Sequence, residues 1–255
     1  MIYGLYLSAG GVMSSSYRQD VIANNIANAE TVGFKRDVAL FKERLTEAQE
    51  SRARAGDTNG LLEAIGGGMR LRPSHIDTAA GEFEPTGENM DVAIEGDGYF
   101  LVDDAGDTRL TRNGDFRIED GHLVLADGSG RQVFDPQHRP IPLDGRLAHD
   151  TLIAKDGQIT QAGQPVGRLG VFDVADPSRL TKHGGTLLNH PDAANLAPNR
   201  NAQVRSEFVE RANVDPTTEL ASLMEAQREL EANANMIRYQ DQTLGRLVNE
   251  VGKIS

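Results

Sequence analysis

From Leu220 onward, apolar residues recur in alternating steps of three and four. The positions are Leu220, Leu223, Gln227, Leu230, Ala234, Ile237, Asp241, Leu244, Val248 and Val251, eight of the ten apolar. A stripe with a mean period of 3.5 residues, held over four heptads, demands a helix and has the spacing of a coiled-coil seam. The same stripe would serve an ordinary amphipathic helix packed on its own domain. Its start is also readable: Asp215 is an N-cap candidate, Pro216 suits the first helical position, and Glu219 places a negative charge in the first turn. From Pro216 to Val251 such a helix runs on the order of 50 Å.

The opposite end carries a weaker stripe with the same steps: Ile2, Leu5, Ala9, Val12, Ser16, Gln19, Ala23 and Ile26. Gly4, Gly10 and Gly11 each cost about 1 kcal/mol relative to alanine in a helix, so this segment is marginal alone and needs a partner. The C-terminal helix is the natural one. Val38, Phe41, Leu45 and Ala48 suggest a further short helix, and residues 56–68, with three consecutive glycines, read as a flexible link.

Between the ends the composition changes. All ten prolines lie from Pro73 to Pro216, and Asp120-Gly121, Asp127-Gly128, Asp144-Gly145, Asp156-Gly157 and Asn113-Gly114 mark turns. Gly96-Asp97-Gly98 separates two apolar runs, as a hairpin or tight turn would. The fold class expected is α+β: long N- and C-terminal helices pairing as a coiled coil, around a central all-β antiparallel domain. The expected divisions are 1–65 with 207–255 for the helical domain and its link, and 66–206 for the β domain.

Chemistry is sparse. The chain has 255 residues, no cysteine and a formal net charge of −12. Disulfides, thiol catalysis and cysteine-bound metals are therefore absent. The acidic balance, with no basic run, argues against nucleic acid as a partner. No apolar run reaches membrane-spanning length, so no membrane insertion is expected, and no basic n-region precedes the mildly apolar N-terminus. The six histidines show no metal spacing, Gly66-Gly67-Gly68 lacks the lysine of a phosphate loop, and Ser14-Ser15-Ser16 lacks a nucleophile elbow. The expectation is a non-enzyme with no catalytic residue, metal or cofactor. Two other classes stay open on the residues alone. One is a secreted oligomeric module with a β ligand domain; the other is an enzyme with an unrecognised carboxylate pair.

Three segments carry a resemblance. Asp20 to Lys35 reads DVIANNIANAETVGFK, and the fixed positions Asn24, Asn25, Asn28, Thr31, Gly33, Phe34 and Lys35 match the pattern A-N-N-(I/L)-A-N-x-x-T-x-G-(F/Y)-K. Thr86 and Asn89 precede Asp91 to Phe100, with Gly96, Asp97 and Gly98 at the turn. Asn213-Val214-Asp215 is followed by Glu219-Leu220, Met224, Gln227-Arg228 and Glu231-Ala232-Asn233. In this order and over nearly the whole chain, they resemble the flagellar basal-body rod and hook family of bacterial axial proteins.

The resemblance implies a structural subunit of the rod, polymerising through terminal helices into a torque-transmitting tube. It implies other copies of the chain, other rod and hook subunits and the flagellar type III export apparatus as partners. It places the protein in the periplasm-spanning rod, exported without a cleaved signal; a hook-type axial subunit is the neighbouring alternative. Residues 165–174 look closer to the proximal-rod type, and 172–180 stand where the distal-rod type carries an F-x-N-P-x-G-L element. Leu5, Val12, Ile26, Leu220, Leu223, Leu230, Ile237, Leu244 and Val248 are the expected subunit-interface residues. Asn24, Asn25 and Asn28 read either as the join between inner helix and next layer or as helix-end caps. Gly33 is expected to hold a backbone conformation forbidden to other residues, so that Gly33→Val impairs assembly and spares the β domain.

Overall fold

The computed structural model describes residues 2–43, 69–199 and 201–251. Leu45, Ala48 and the 56–68 link lie outside them. The described chain begins with α1 (Ile2–Ala27) and ends with α2 (Pro216–Val251). The C-terminal helix starts at the proline that the capping pattern predicts. The short helix expected from Val38 and Phe41 is a correction: Asp37–Glu43 forms strand β1, joined to β2 (Met69–Ile76) in a two-stranded sheet. Both backbone groups of Asp37 are bound by the Asn25 side chain, which fixes the chain as it enters the strand and overrides a short local period.

Two compact units result. One contains the described parts of 1–26, 37–75 and 216–255; the other contains 27–36 and 76–215. Within the first, α1 and α2 lie side by side and antiparallel. A Cβ on Gly4 would sit 2.8 Å from Gln240 Nε2, and one on Gly11 would sit 2.7 Å from the Asn233 side chain. Moving seven residues up α1 thus moves seven down α2. Arg18 continues the series with Glu225 and Glu229 at 3.4 and 3.5 Å, and Asn25 ends it at Glu219.

The face of α2 turned to α1 therefore runs through Glu219, Ala226, Asn233 and Gln240. Leu223, Leu230, Ile237 and Leu244 are half-buried beside it. The expected stripe shares those four apolar positions, but its other half is displaced by one residue, since Leu220 is 52% exposed. On α1 the displacement is similar: Gly4, Ser8, Gly11, Ser15, Ile22 and Asn25 replace the expected line through Ile2 and Ala9. Glycine and serine permit the close approach that an apolar count overlooks.

A consequence can be measured. Gly11→Leu is expected to lower stability by about 1–3 kcal/mol through overpacking against Asn233. Gly11→Leu combined with Asn233→Ala, which removes the side chain it meets, should recover most of the loss. Thermal melts followed at 222 nm report both, and an unchanged melt for Gly11→Leu would reject this packing.

The β unit comprises β3 (Phe83–Pro85), β4 (Val92–Glu95), β5 (Tyr99–Asp104), β6 (Asp107–Thr111), β7 (Phe116–Glu119), β8 (His122–Leu125), β9 (Thr151–Ile153), β10 (Gln158–Gln161), β11 (Gln164–Arg168), β12 (Val171–Phe172), β13 (Thr181–Lys182), β14 (Leu187–Asn189), β15 (Gln203–Ser206) and β16 (Phe208–Glu210). Its described strand pairs are all antiparallel. A five-stranded sheet has the order β12-β5-β6-β14-β13, and β11-β10-β9 form a three-stranded sheet. β15 pairs with β4, β16 with β3, and β7 with β8.

Strand β5 explains its own uninterrupted apolar run. Phe100 and Val102 enter one core with Val92, Leu123 and Ile159, while Tyr99 and Leu101 enter a second with Leu110, Phe172 and Leu188. A strand buried on both faces has no polar side to alternate with. Gly96-Asp97-Gly98 is a bend at which the chain leaves the β4 pair for the five-stranded sheet, not a hairpin. Asp120-Gly121 does close a hairpin, with φ of 49° and 78°. Asn113-Gly114 is not an exposed turn: both residues are buried, and a Cβ on Gly114 would sit 1.6 Å from the Val92 carbonyl oxygen.

Two carboxyls near this segment are held above their ordinary range. Burial pushes Asp91 up, with Glu88 adding to it against a Thr86 hydrogen bond. Burial pushes Asp115 up, with Asp91 and Asp127 adding to it. Folded-state values above the unfolded ones mean that stability is lost as pH rises through them. Asp115→Asn is therefore expected to raise the Tm at pH 7, by about 2–4 °C per kcal/mol at this size. The gain should shrink to nothing below about pH 3.8, where the unfolded carboxyl is also protonated. Paired melts at pH 7 and pH 3.5 test it, and a gain of equal size at both would reject the charge explanation.

Candidate assembly site

The asparagine-rich motif divides between the two units, and each part is built differently. At the end of α1, Asn25 is buried. Its Oδ1 accepts the Asp37 N–H at 2.9 Å, and its Nδ2 donates to the Asp37 carbonyl at 2.8 Å and to Glu219 Oε2 at 3.5 Å. One side-chain amide thus closes on an extended residue as a neighbouring strand would. Glu219 is also buried, in the first turn of α2, where the helix dipole favours its charge. Asn24 is exposed and Asn28 half-buried. Asn28 caps the end of α1 with its own atoms: its carbonyl accepts the Thr31 N–H at 3.1 Å, and its Oδ1 accepts the Thr31 hydroxyl at 3.4 Å.

Gly33, Phe34 and Lys35 belong to the β unit. Gly33 has φ +69°, and a Cβ there would lie 2.2 Å from the Asn113 backbone nitrogen. Its N–H donates to the Glu210 carbonyl at 2.7 Å. Phe34 is buried in a small cluster with Ala29, Ala212 and Val214, and Lys182 Nζ stands 3.6 Å from its ring centroid. Lys35 Nζ is within 2.6 Å of Glu210 Oε1 and donates to the Ala79 carbonyl at 2.7 Å. Arg112 reaches the other Glu210 oxygen at 3.3 Å and lies over the Tyr99 ring. The Gly81 N–H also donates to Glu210, at 2.9 Å.

Lys35, Arg112 and Glu210 are all buried, so two cations share one carboxylate away from water. Burial pulls Lys35 below the usual lysine range, and Glu210 works against that pull. The desolvation of charges so enclosed must be offset by their mutual attraction and the added hydrogen bonds. Asn213 completes the clamp: its Oδ1 accepts the Arg36 N–H at 2.7 Å, and its Nδ2 donates to the Asp77 and Ala79 carbonyls at 3.0 Å. The three family segments therefore do not form one site. Phe34 packs with Val214 and Arg36 bonds Asn213, whereas Gly96 and Asp97 are exposed at their own bend. Gly98 is buried there at φ +130°, and a Cβ on it would lie 2.7 Å from Val171.

Glu210, Arg112 and Lys182 are the residues that sequence reasoning did not single out. The only available signal for Glu210 was a lone carboxylate in an apolar strand, Phe208–Glu210. Among the expected interface residues, Leu5, Val12, Ile26, Leu223, Leu230, Ile237 and Leu244 are half-buried. Leu220 is exposed, and Val248 is 72% exposed beyond the stretch that α1 covers. Among the described residues, no group of three or more histidine, aspartate or glutamate side chains could hold a metal ion. No described helix is long and apolar enough to cross a membrane. Within the described residues, these contacts tie segments distant in the sequence to one another.

Residues 5–35 match the model for the flagella basal body rod protein. Residues 93–161 match the flagellar hook protein FlgE/F/G D1 domain, and residues 205–250 match the flagellar basal body rod FlgEFG protein C-terminal model. The flagellar basal-body rod protein FlgG of Bacillus subtilis is 31% identical, over 98% of this chain and 99% of its own length. The flagellar basal-body rod protein FlgF of Caulobacter vibrioides is 30% identical, over 98% of each chain. The FlgF protein of Mesorhizobium japonicum is 28% identical, again over 98% of each. Relatives of both names are thus similar to this chain end to end and to a similar degree.

Proposed function

Because this chain belongs to the flagellar basal-body rod protein family and is a structural subunit of the bacterial rod, we propose that its paired terminal helices are the part that polymerises. In this reading the helices pack with those of other copies and of neighbouring rod and hook subunits into a tube that transmits torque. The β unit is carried along the tube. Export runs through the flagellar type III apparatus without a cleaved signal, into the periplasm-spanning part of the rod. Within the family, residues 165–174 favour the proximal-rod type.

One observation carries the reading. The α1 segment 2–17 has no charged residue, yet Tyr6, Leu7 and Met13 are exposed. A helix apolar on several sides is stable in water only when something covers it. The secreted binding module is not favoured, since similarity to rod proteins extends over nearly the whole chain. The protein itself tests the reading in its native cells. Deleting the gene should abolish swimming, and the restored chain should be recovered in isolated basal bodies. A chain lacking 216–255 should be missing from them. Undiminished swimming of the deletion strain would reject the rod reading.

A further inference from the structure

The helical unit carries two unlike apolar surfaces. One is a groove of about 480 Å³ on the outer side of α1, walled by Tyr6, Leu7 and Met13 and by Met69 and Leu71 of β2. Its floor is open at Gly10, where an added Cβ would meet nothing within 4 Å. Tyr6 and Met13 are 59% and 63% exposed. The other is a ridge on α2. Met236, Tyr239 and Leu247 protrude on the side away from Leu223 and Leu230, and Tyr239 is 65% exposed. Their spacing of three and then eight residues keeps them on one side of the helix.

Resting on the rod reading above, we infer that the α1 groove receives the α2 ridge of a second copy of this chain. Three physical arguments select that occupant. A groove set on an identical groove leaves both unfilled, whereas a ridge fills it, as an amphipathic helix fills an apolar groove. A tubular polymer needs a heterologous contact, in which two different patches of one molecule meet and each copy keeps one of each free. The charges also fit. The groove walls are uncharged, and around Met236 the segment 232–237, ANANMI, is uncharged too, while Arg238 and Arg246 flank Tyr239 and Leu247 at the rim. A strongly charged partner would leave its charges desolvated against Leu7 and Leu71.

The test places the photoreactive amino acid p-benzoylphenylalanine at position 13 of the full chain, in native cells, and maps adducts in isolated basal bodies. The expected product is a band of twice the chain mass whose adduct lies in the tryptic peptide 229–238 or 239–246 of the second copy. In a chain that also carries Met236→Glu and Tyr239→Glu, that band should fall at least tenfold. Both residues are exposed, and an unchanged far-UV helical signal would show that the helix persists. An adduct on α1 of a second copy, on another protein, within the same chain only, or none at all overturns the inference. Absence of the labelled chain from basal bodies would instead overturn the rod reading beneath it.

Discussion

Replacing Glu210 by alanine is expected to destabilise the β unit by about 3–5 kcal/mol, the largest effect of any single side-chain truncation in this buried cluster. The carboxylate is 1% exposed and accepts from Lys35, from Arg112 and from the Gly81 N–H. Its removal leaves two buried cations and a backbone donor without their shared acceptor. Lys35→Met is the informative contrast, because it removes one cation and leaves the Glu210–Arg112 pair. Its cost should be clearly smaller. Denaturant melts of both single variants and the double variant give the coupling between the two sites. A Glu210→Ala loss under about 1 kcal/mol would mean that water reaches the charges and that the clamp holds nothing.

Gly33→Val should be nearly as damaging, through the backbone. At φ +69° a β-branched residue is strained by about 1–3 kcal/mol, and the added Cβ also meets the Asn113 and Arg112 backbone at 2.2 and 2.4 Å. Neither neighbour is a flexible side-chain end, so the segment 27–36 must leave its place. Phe34 and Lys35 leave with it, while the two large cores do not include this segment. The expected result is a protein whose central strands survive limited proteolysis but are cut near residue 33, in cells that swim poorly or not at all. Gly245→Ala is the control: it has open space at the Cβ position and a helical backbone, and should gain about 0.5–1 kcal/mol. Uncut 27–36 and normal swimming in Gly33→Val would reject the account.

These two residues show where sequence reading reached and where it stopped. Gly33 was legible because a glycine fixed within a motif signals a backbone constraint. The object it touches was not legible, because Asn113 is eighty residues away. Glu210 was invisible for the same reason: an acidic residue in a short strand gives no sign that two cations will converge on it. Asn25 was legible as a motif member with two possible roles. The structure gives it three hydrogen bonds, to Asp37 and Glu219, so it does more than cap its own helix. Asn28, bonded to Thr31 through both its carbonyl and its side chain, caps the end of the helix.

By itself, the sequence determined what depends on neighbours within a few residues. The helix that begins at Pro216, the break from helix to strand and turn, and the Asp120-Gly121 hairpin follow from local propensity and period. The absence of cysteine chemistry follows from composition, and membership of a rod family follows from three motifs read in order. The tertiary structure decided whatever needed residues distant in the chain. It set α1 against α2 through Gly4, Gly11, Asn233 and Gln240, one position away from the apolar count, because small residues let backbones approach and large ones do not. It turned Asp37–Glu43 into a strand, buried Asn113-Gly114, and gathered Lys35 and Arg112 around the Glu210 carboxylate. Burial and charge pairing are properties of surroundings, and a chain's surroundings exist only once it has folded.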